Sequence, residues 1–137
     1  MIEYRGKRYL PHTQNIHNEA VLGDNNTIHS HVWIGKGVVM GSNCKIQAFV
    51  FIPDGVTLED NVFVGPHACF TNDKHPKANG EWEESKTLVC EGASIGANAT
   101  ILPGITIGKG ATVGAGSVVT KDIPAGETWV GNPARKL

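Results

Sequence analysis

The stretch Ile28-His-Ser-His-Val-Trp-Ile34-Gly-Lys-Gly-Val-Val-Met40-Gly-Ser-Asn-Cys-Lys-Ile46-Gln-Ala-Phe-Val-Phe-Ile52 decides the fold, because a large apolar residue stands at every sixth position. The same step reaches back to Leu22, Ile16 and Leu10 and forward to Leu58, Val64 and Phe70. It then slips by one residue and resumes at Val89, Ile95, Ile101, Ile107, Val113 and Val119. Recurrence at a short fixed period marks a repeat architecture. Four residues after most anchors stands a small or β-branched residue, as at Val32, Val38, Cys44, Val50, Val56, Val62 and Ala68, then Ala93, Ala99, Ile105, Ala111 and Ser117. Asn26 and Lys74 interrupt this second column. Alternating spacings of four and two put both columns on one side of an extended chain. One side therefore points inward throughout, with a bend in each repeat.

The bends are legible three residues after each anchor. Asn25, Asn43 and Asn61 form one series and Gly37, Gly55 and Asp73 a second. Gly, Asn and Asp tolerate positive φ, so these are corners. A third series, His31, Phe49 and His67, departs from turn chemistry. Three repeats close a triangular coil, and stacking coils about 4.8 Å apart gives a parallel β-solenoid of roughly five to six turns. The expected fold is all-β, in one domain over residues 1–137, with Met1–Tyr9 and Ala125–Leu137 as end caps. Flat outer strands favour association, and a three-sided coil points to a homotrimer.

Composition agrees. Val and Ile total 24 against 6 Leu, the reverse of a helical bundle. A net charge of −1 disfavours nucleic acid as a partner. No apolar run is long enough to span a bilayer, so no membrane partner is expected. Cys44, Cys69 and Cys90 fit neither a disulfide framework nor a metal knuckle. The beginning lacks the apolar segment of a signal peptide, which makes a cytoplasmic location the expectation.

The repeat breaks at about residues 71–88, which hold 7 of the 25 charged residues together with Trp82. A loop this long in a compact repeat fold is usually functional, and an indole there argues for packing on something. His67, Asn72, Asp73 and His75 cluster at the break. On residues alone, Asn72 is also readable as a turn former, and His31 and His67 as surface corners. Those two histidines stand two coils apart, roughly 10 Å, too far to share one metal. His12 and His17 read as surface residues, and Trp33 and Trp129 as packing or interface residues.

The hexapeptide pattern resembles that of the left-handed β-helix acyltransferases. Asp60-Asn-Val-Phe-Val-Gly-Pro-His-Ala-Cys-Phe-Thr-Asn-Asp-Lys-His-Pro76 and Gly92-Ala-Ser-Ile-Gly-Ala-Asn-Ala-Thr-Ile-Leu-Pro-Gly-Ile-Thr-Ile-Gly108 are similar to the branch that N-acetylates nucleotide-linked 3-amino sugars. Val130-Gly-Asn-Pro-Ala-Arg135 is similar to the terminal signature of acetyl-CoA-dependent members. The segment Ile28-His-Ser-His-Val-Trp33 departs from that branch, its histidines being displaced by one position.

The resemblance implies acetyl-CoA as co-substrate, no metal, and a dTDP- or UDP-linked amino sugar as acceptor, with the site between subunits. It implies Asn72 as the group orienting the amine; His67 ranks second, as a base, with Asp73 beside them, and the corner series and the loop nominate His31, Phe49, His75 and Trp82 for the sugar nucleotide. For the coenzyme it nominates the small residues Gly96, Ala97, Gly114 and Ala115 and the basic residues Lys121, Arg135 and Lys136; each base also reads as plain solvated charge. Two competing readings are a zinc hydratase of the γ-carbonic-anhydrase type and a catalytically silent assembly subunit. The zinc site needs a third histidine where Asn72 stands.

Overall fold

The computed structural model describes residues 13–137, preceded by the backbone of two antiparallel strands, β1 (Ile2–Tyr4) and β2 (Lys7–Tyr9). Leu10, His12 and the packing expected of Met1–Tyr9 lie outside the described residues.

From Asn15 onward the chain winds as a triangular column with three parallel faces. The first face stacks β3 (Asn15–Ile16), β6 (Trp33–Ile34), β9 (Phe51–Ile52), β12 (Cys69–Phe70), β15 (Thr100–Ile101) and β18 (Val118–Val119). Its six rungs set the number of coils among the described residues. Trp33 and Phe51 project from it, so it is called the aromatic face. The aliphatic face stacks β4 (Val21–Leu22), β7 (Val39–Met40), β10 (Val56–Leu58), β13 (Thr87–Val89) and β16 (Thr106–Ile107). The polar face stacks β5 (Thr27–Ile28), β8 (Lys45–Ile46), β11 (Phe63–Val64), β14 (Ser94–Ile95), β17 (Thr112–Val113) and β19 (Thr128–Gly131), and β20 (Ala134–Lys136) adds to it antiparallel. The chain is thus an all-β parallel solenoid of the left-handed β-helix type, with no helical residue among those described.

Each rung follows from the six-residue pattern. The second residue of a strand points inward and its predecessor outward, and Ile34, Ile46, Ile52, Val64, Phe70, Ile95, Ile101 and Ile107 are all at most 1% exposed. Full burial of one such side chain is worth about 1.5–3 kcal/mol. Backbone amides point along the column to the next coil, as from Trp33 N to Val50 O at 2.9 Å and from Phe51 N to Ala68 O at 3.1 Å. Asn26, the polar intruder in the inner column, is satisfied there. Its Nδ2 donates to Gly41 O at 2.9 Å and its Oδ1 accepts from Cys44 N at 2.8 Å. At other corners the equivalent amide and carbonyl bond each other within the turn, as Ala68 N does to Gly65 O at 3.3 Å, and the Asn26 amide stands in for that bond.

The corners adopt the conformation that their composition predicts. Asn25, Asn43 and Asn61 have φ of +59, +61 and +60, and Gly92 and Gly110 continue their ladder. Asp73 is a correction. It is not a rung above Gly55, because the chain leaves the column at that corner and the ladder resumes at Gly104. The excursion is also narrower than 71–88. Thr71 still bonds Ile101 O, and Thr87–Val89 is already strand β13, whose Thr87 pairs with Val56 thirty-one positions earlier instead of eighteen. The last residues close the column as a hairpin, with Gly131 N on the buried Ser117 hydroxyl at 3.0 Å and Ala134 fully buried.

Glycines that follow an anchor have a different role from those at corners. A Cβ on Gly96 would lie 2.5 Å from Ala115 N, within the backbone of the next coil. Beside Gly92 a Cβ meets nothing within 4 Å, and the corner needs only its φ of +74. Gly96→Ala is therefore expected to lower stability by about 1–3 kcal/mol. Gly92→Asn, which copies Asn61 one rung below, should stay within about 0.5 kcal/mol of the parent. Urea unfolding midpoints of the two variants check the contrast.

Candidate active site

Most of the site residues anticipated from the sequence fall on the two edges of the aromatic face. One edge carries His31, Phe49 and His67. Their rings form a continuous stack, His31 to Phe49 at 4.8 Å and 7° and Phe49 to His67 at 4.9 Å and 5°. One ring per coil reproduces the strand spacing, so the column's own period brings the rings together. All three have positive φ, +58, +64 and +61. For residues with a Cβ that conformation costs about 1–2 kcal/mol, while an aromatic pair returns about 0.5–1.5 kcal/mol. Stability thus gives no reason to prefer these rings over the Asn ladder of the neighbouring corner. Backbone cost of this kind gathers at functional positions.

The other edge carries the excursion, closed at its base by Ser85 N donating to Asn72 O at 2.9 Å. Asn72 itself sits one coil above Asp54, and its Nδ2 donates to Asp54 O at 3.0 Å. That bond fixes the amide, leaving Oδ1 as the acceptor available to a ligand. Asp54 was not anticipated as a positioning residue, although its distance of one 18-residue coil from Asn72 was a readable signal. Asp73 Oδ1 accepts from His75 N at 2.9 Å, which turns the chain outward.

Asp73, His75, Trp82 and Glu84 line a groove of about 470 Å³ within the loop. The arm then folds back on the column. A Cβ on Gly55 would come 3.0 Å from Glu84, and one on Gly104 3.5 Å from Lys74. Above it, Lys74 and Lys121 rim a second groove of about 740 Å³ floored by Leu102, Pro103 and Ile105.

The structure does not gather all the anticipated residues. His67 and Asn72 are separated by the whole width of the aromatic face, on the order of 15 Å for five extended residues. Gly96, Ala97, Gly114 and Ala115 follow strands of the polar face, on the edge shared with His67, whereas Lys121 lies beside the loop. Coil stacking accounts for the smallness of Gly96 and Gly114, since a Cβ on Gly114 would lie 2.5 Å from Val130. Arg135 and Lys136 stand on β20, where Lys136 pairs with Glu127 at 3.5 Å.

His31 and His67 lie on opposite sides of Phe49, and no group of three His, Cys, Asp or Glu among the described residues could hold a metal ion. Burial pushes the Cys69 thiol up, away from the range of an activated nucleophile.

The profile described as bacterial transferase hexapeptide (six repeats) matches residues 37–72 and 86–121, over half of the chain and on both sides of the excursion. The chain belongs to that family. Within the hexapeptide-repeat transferases it is 33% identical over 86 residues to the galactoside O-acetyltransferase of Escherichia coli, covering 59% of this chain and 42% of that protein. It is 48% identical over 50 residues to the dTDP-3-amino-3,6-dideoxy-alpha-D-galactopyranose 3-N-acetyltransferase of Aneurinibacillus thermoaerophilus, covering 36% of this chain and 26% of that protein. The acetyltransferase domain of PglB from Neisseria gonorrhoeae, solved with acetyl coenzyme A, superposes with a TM-score of 0.80 at 25% identity, over 92% of this chain and 55% of that one. This hexapeptide-repeat chain spans less than half the length of the curated relatives it matches.

The Asn72–Asp54 bond carries a stability consequence separable from any chemistry. Asn72→Ala leaves the half-buried Asp54 carbonyl without its donor and should cost about 0.5–1.5 kcal/mol. Asn72→Gln, too long for the same geometry, should recover at most part of it. Thermal melts of the two variants measure the difference.

Proposed function

We propose that the chain is an acetyl-CoA-dependent N-acetyltransferase acting on a nucleotide-linked amino sugar, working as a homotrimer in the cytoplasm, where three free cysteines remain reduced. The observation that carries the reading is the division of candidate groups between the two edges of the aromatic face. One chain alone cannot close a site from them. In a cyclic assembly the ring column of one copy can meet the loop of the next, and Trp33 and Phe51, 46% and 41% exposed between those edges, give such a contact an apolar surface. The resemblance of the segments around Asn72, and the amino-sugar relative, favour an amine over a hydroxyl as acceptor.

In this reading each side chain has a stated task. Asp73 and the acidic arm attract the ammonium form of the acceptor, with Trp82 and His75 along its path. Once the amine is neutral, Asn72 Oδ1 accepts a hydrogen bond from its N–H and so aims the lone pair. His67 of the adjoining copy receives the proton that the amine must lose, while His31 and Phe49 complete that wall. Acetyl-CoA supplies the thioester carbonyl when bound. One C–N bond forms, one C–S bond breaks, and the leaving thiolate takes up the proton held on His67, so that free coenzyme A thiol is the second product.

The groove with its aliphatic floor and the ammonium groups of Lys74 and Lys121 suits a long apolar arm ending in phosphates. The exposed Ala115 and the half-buried Ala97, Gly96 and Gly114 keep the other edge low. Arg135 and Lys136 add positive charge at the end of the polar face.

Thiol release is the direct assay, with dTDP- and UDP-amino sugars offered beside a galactoside and serine. Turnover confined to an amino sugar is expected, and turnover only with a hydroxyl acceptor overturns the assignment. Asn72→Ala should remain trimeric by sedimentation while kcat falls at least tenfold. Trp33→Asp should yield monomers with no turnover. A fully active Trp33→Asp monomer would remove the shared site.

A further inference from the structure

Phe49 occupies a position that the proposed chemistry only partly explains. Its ring lies between two imidazoles and parallel to both within 7°. With both faces taken, no ligand ring can stack on it. It is 50% exposed, so it fills no core, and its backbone is held at φ +64, where Asn43 and Asn61 serve on another corner. What it does is restrain its neighbours. His67 is an exposed side chain, and neither of its ring nitrogens has a hydrogen-bond partner among the described residues. The χ2 torsion of an imidazole is broad unless packing narrows it. The Phe49 face, 4.9 Å away and 5° from parallel, is the contact that sets the plane of the His67 ring and hence the direction of Nδ1 and Nε2.

We infer that Phe49 is a positioning residue for His67, holding its imidazole so that a ring nitrogen faces the acceptor amine. This rests on the reading of His67 as proton acceptor. The backbone cost accepted at Phe49 is then the cost of an aimed ring, which Asn or Gly at the same corner cannot provide.

Two substitutions test it in the full-length protein. Phe49→Asn suits the left-handed corner and keeps the fold but removes the stack; Phe49→Tyr keeps both. In Phe49→Asn, kcat should fall at least tenfold with KM for acetyl-CoA within twofold, and Phe49→Tyr, which restores the stacked ring, should recover most of that lost kcat. Carbon relaxation at His67 Cε1 should show a loosened ring in the Asn variant only. In a His67→Ala background, adding Phe49→Asn should cost no more than a further twofold.

A His67 ring equally ordered in the Asn variant overturns the inference whatever the turnover. So does a full tenfold loss persisting without His67, which would make Phe49 a direct substrate contact. If His67→Ala alone leaves kcat unchanged while the ring still loosens in Phe49→Asn, the positioning stands and the assignment of His67 as proton acceptor fails.

Discussion

Everything in this molecule depends on the register between consecutive coils. Each backbone amide along a face bonds a carbonyl one coil away, and each inward side chain rests on the one below it. Ile34, Ile52, Phe70, Ile101 and Val119 form one such stack. A shift by one residue would turn the inner column outward along a whole rung. Extra chain can enter only where neither constraint applies, at a corner. The excursion does so: it departs after Asn72 and returns at Ser85 through a bond between those two residues, and β13 resumes in register with β10.

This rule explains which parts of the protein are legible in sequence. The anchors are visible because an inward position admits only a large apolar group, and the corners because most admit only Asn or Gly. The limits of the loop are not visible, since its exposed charged residues answer to no periodic constraint and their flanks imitate the repeat. For that reason Thr71, Thr87 and Leu88 read as loop while belonging to the column, and Asp73 reads as a corner while lying off it. The small residues Gly96 and Gly114 had a signal pointing two ways. Smallness serves a ligand or the chain packed above equally well, and only the position of that chain, Ala115 backbone over Gly96 and the Val130 side chain over Gly114, reveals the second use.

The candidate site was half legible for a related reason. Residue types and their clustering over residues 67–75 nominate Asn72 and His67 together, because they are near in sequence. In a solenoid, nearness in sequence is nearly the opposite of nearness in space. Five residues carry the chain across a whole face, whereas eighteen bring it back to the same edge. Asn72 therefore meets Asp54 rather than His67, and His67 meets Phe49 and, through it, His31. Counting in eighteens already places His31, Phe49 and His67 on one corner, and the same count carried to Asn72 reaches Asp54.

The corners are consequently where this architecture can carry chemistry. A corner side chain neither fills the core nor belongs to the outward row of a face, so its identity is constrained mainly by φ. Where Asn or Gly stands, that constraint is met at low cost and the corner does nothing further. Where His31, Phe49 and His67 stand, the cost is accepted three times in succession, and the coil spacing converts three separate exceptions into one ordered stack. The edge across the aromatic face accepts a different cost, the closure of a charged arm held by Asn72. Both departures flank the face that exposes Trp33 and Phe51. A solenoid that only needed to fold would have no reason to place its two least economical edges on either side of one exposed aromatic face.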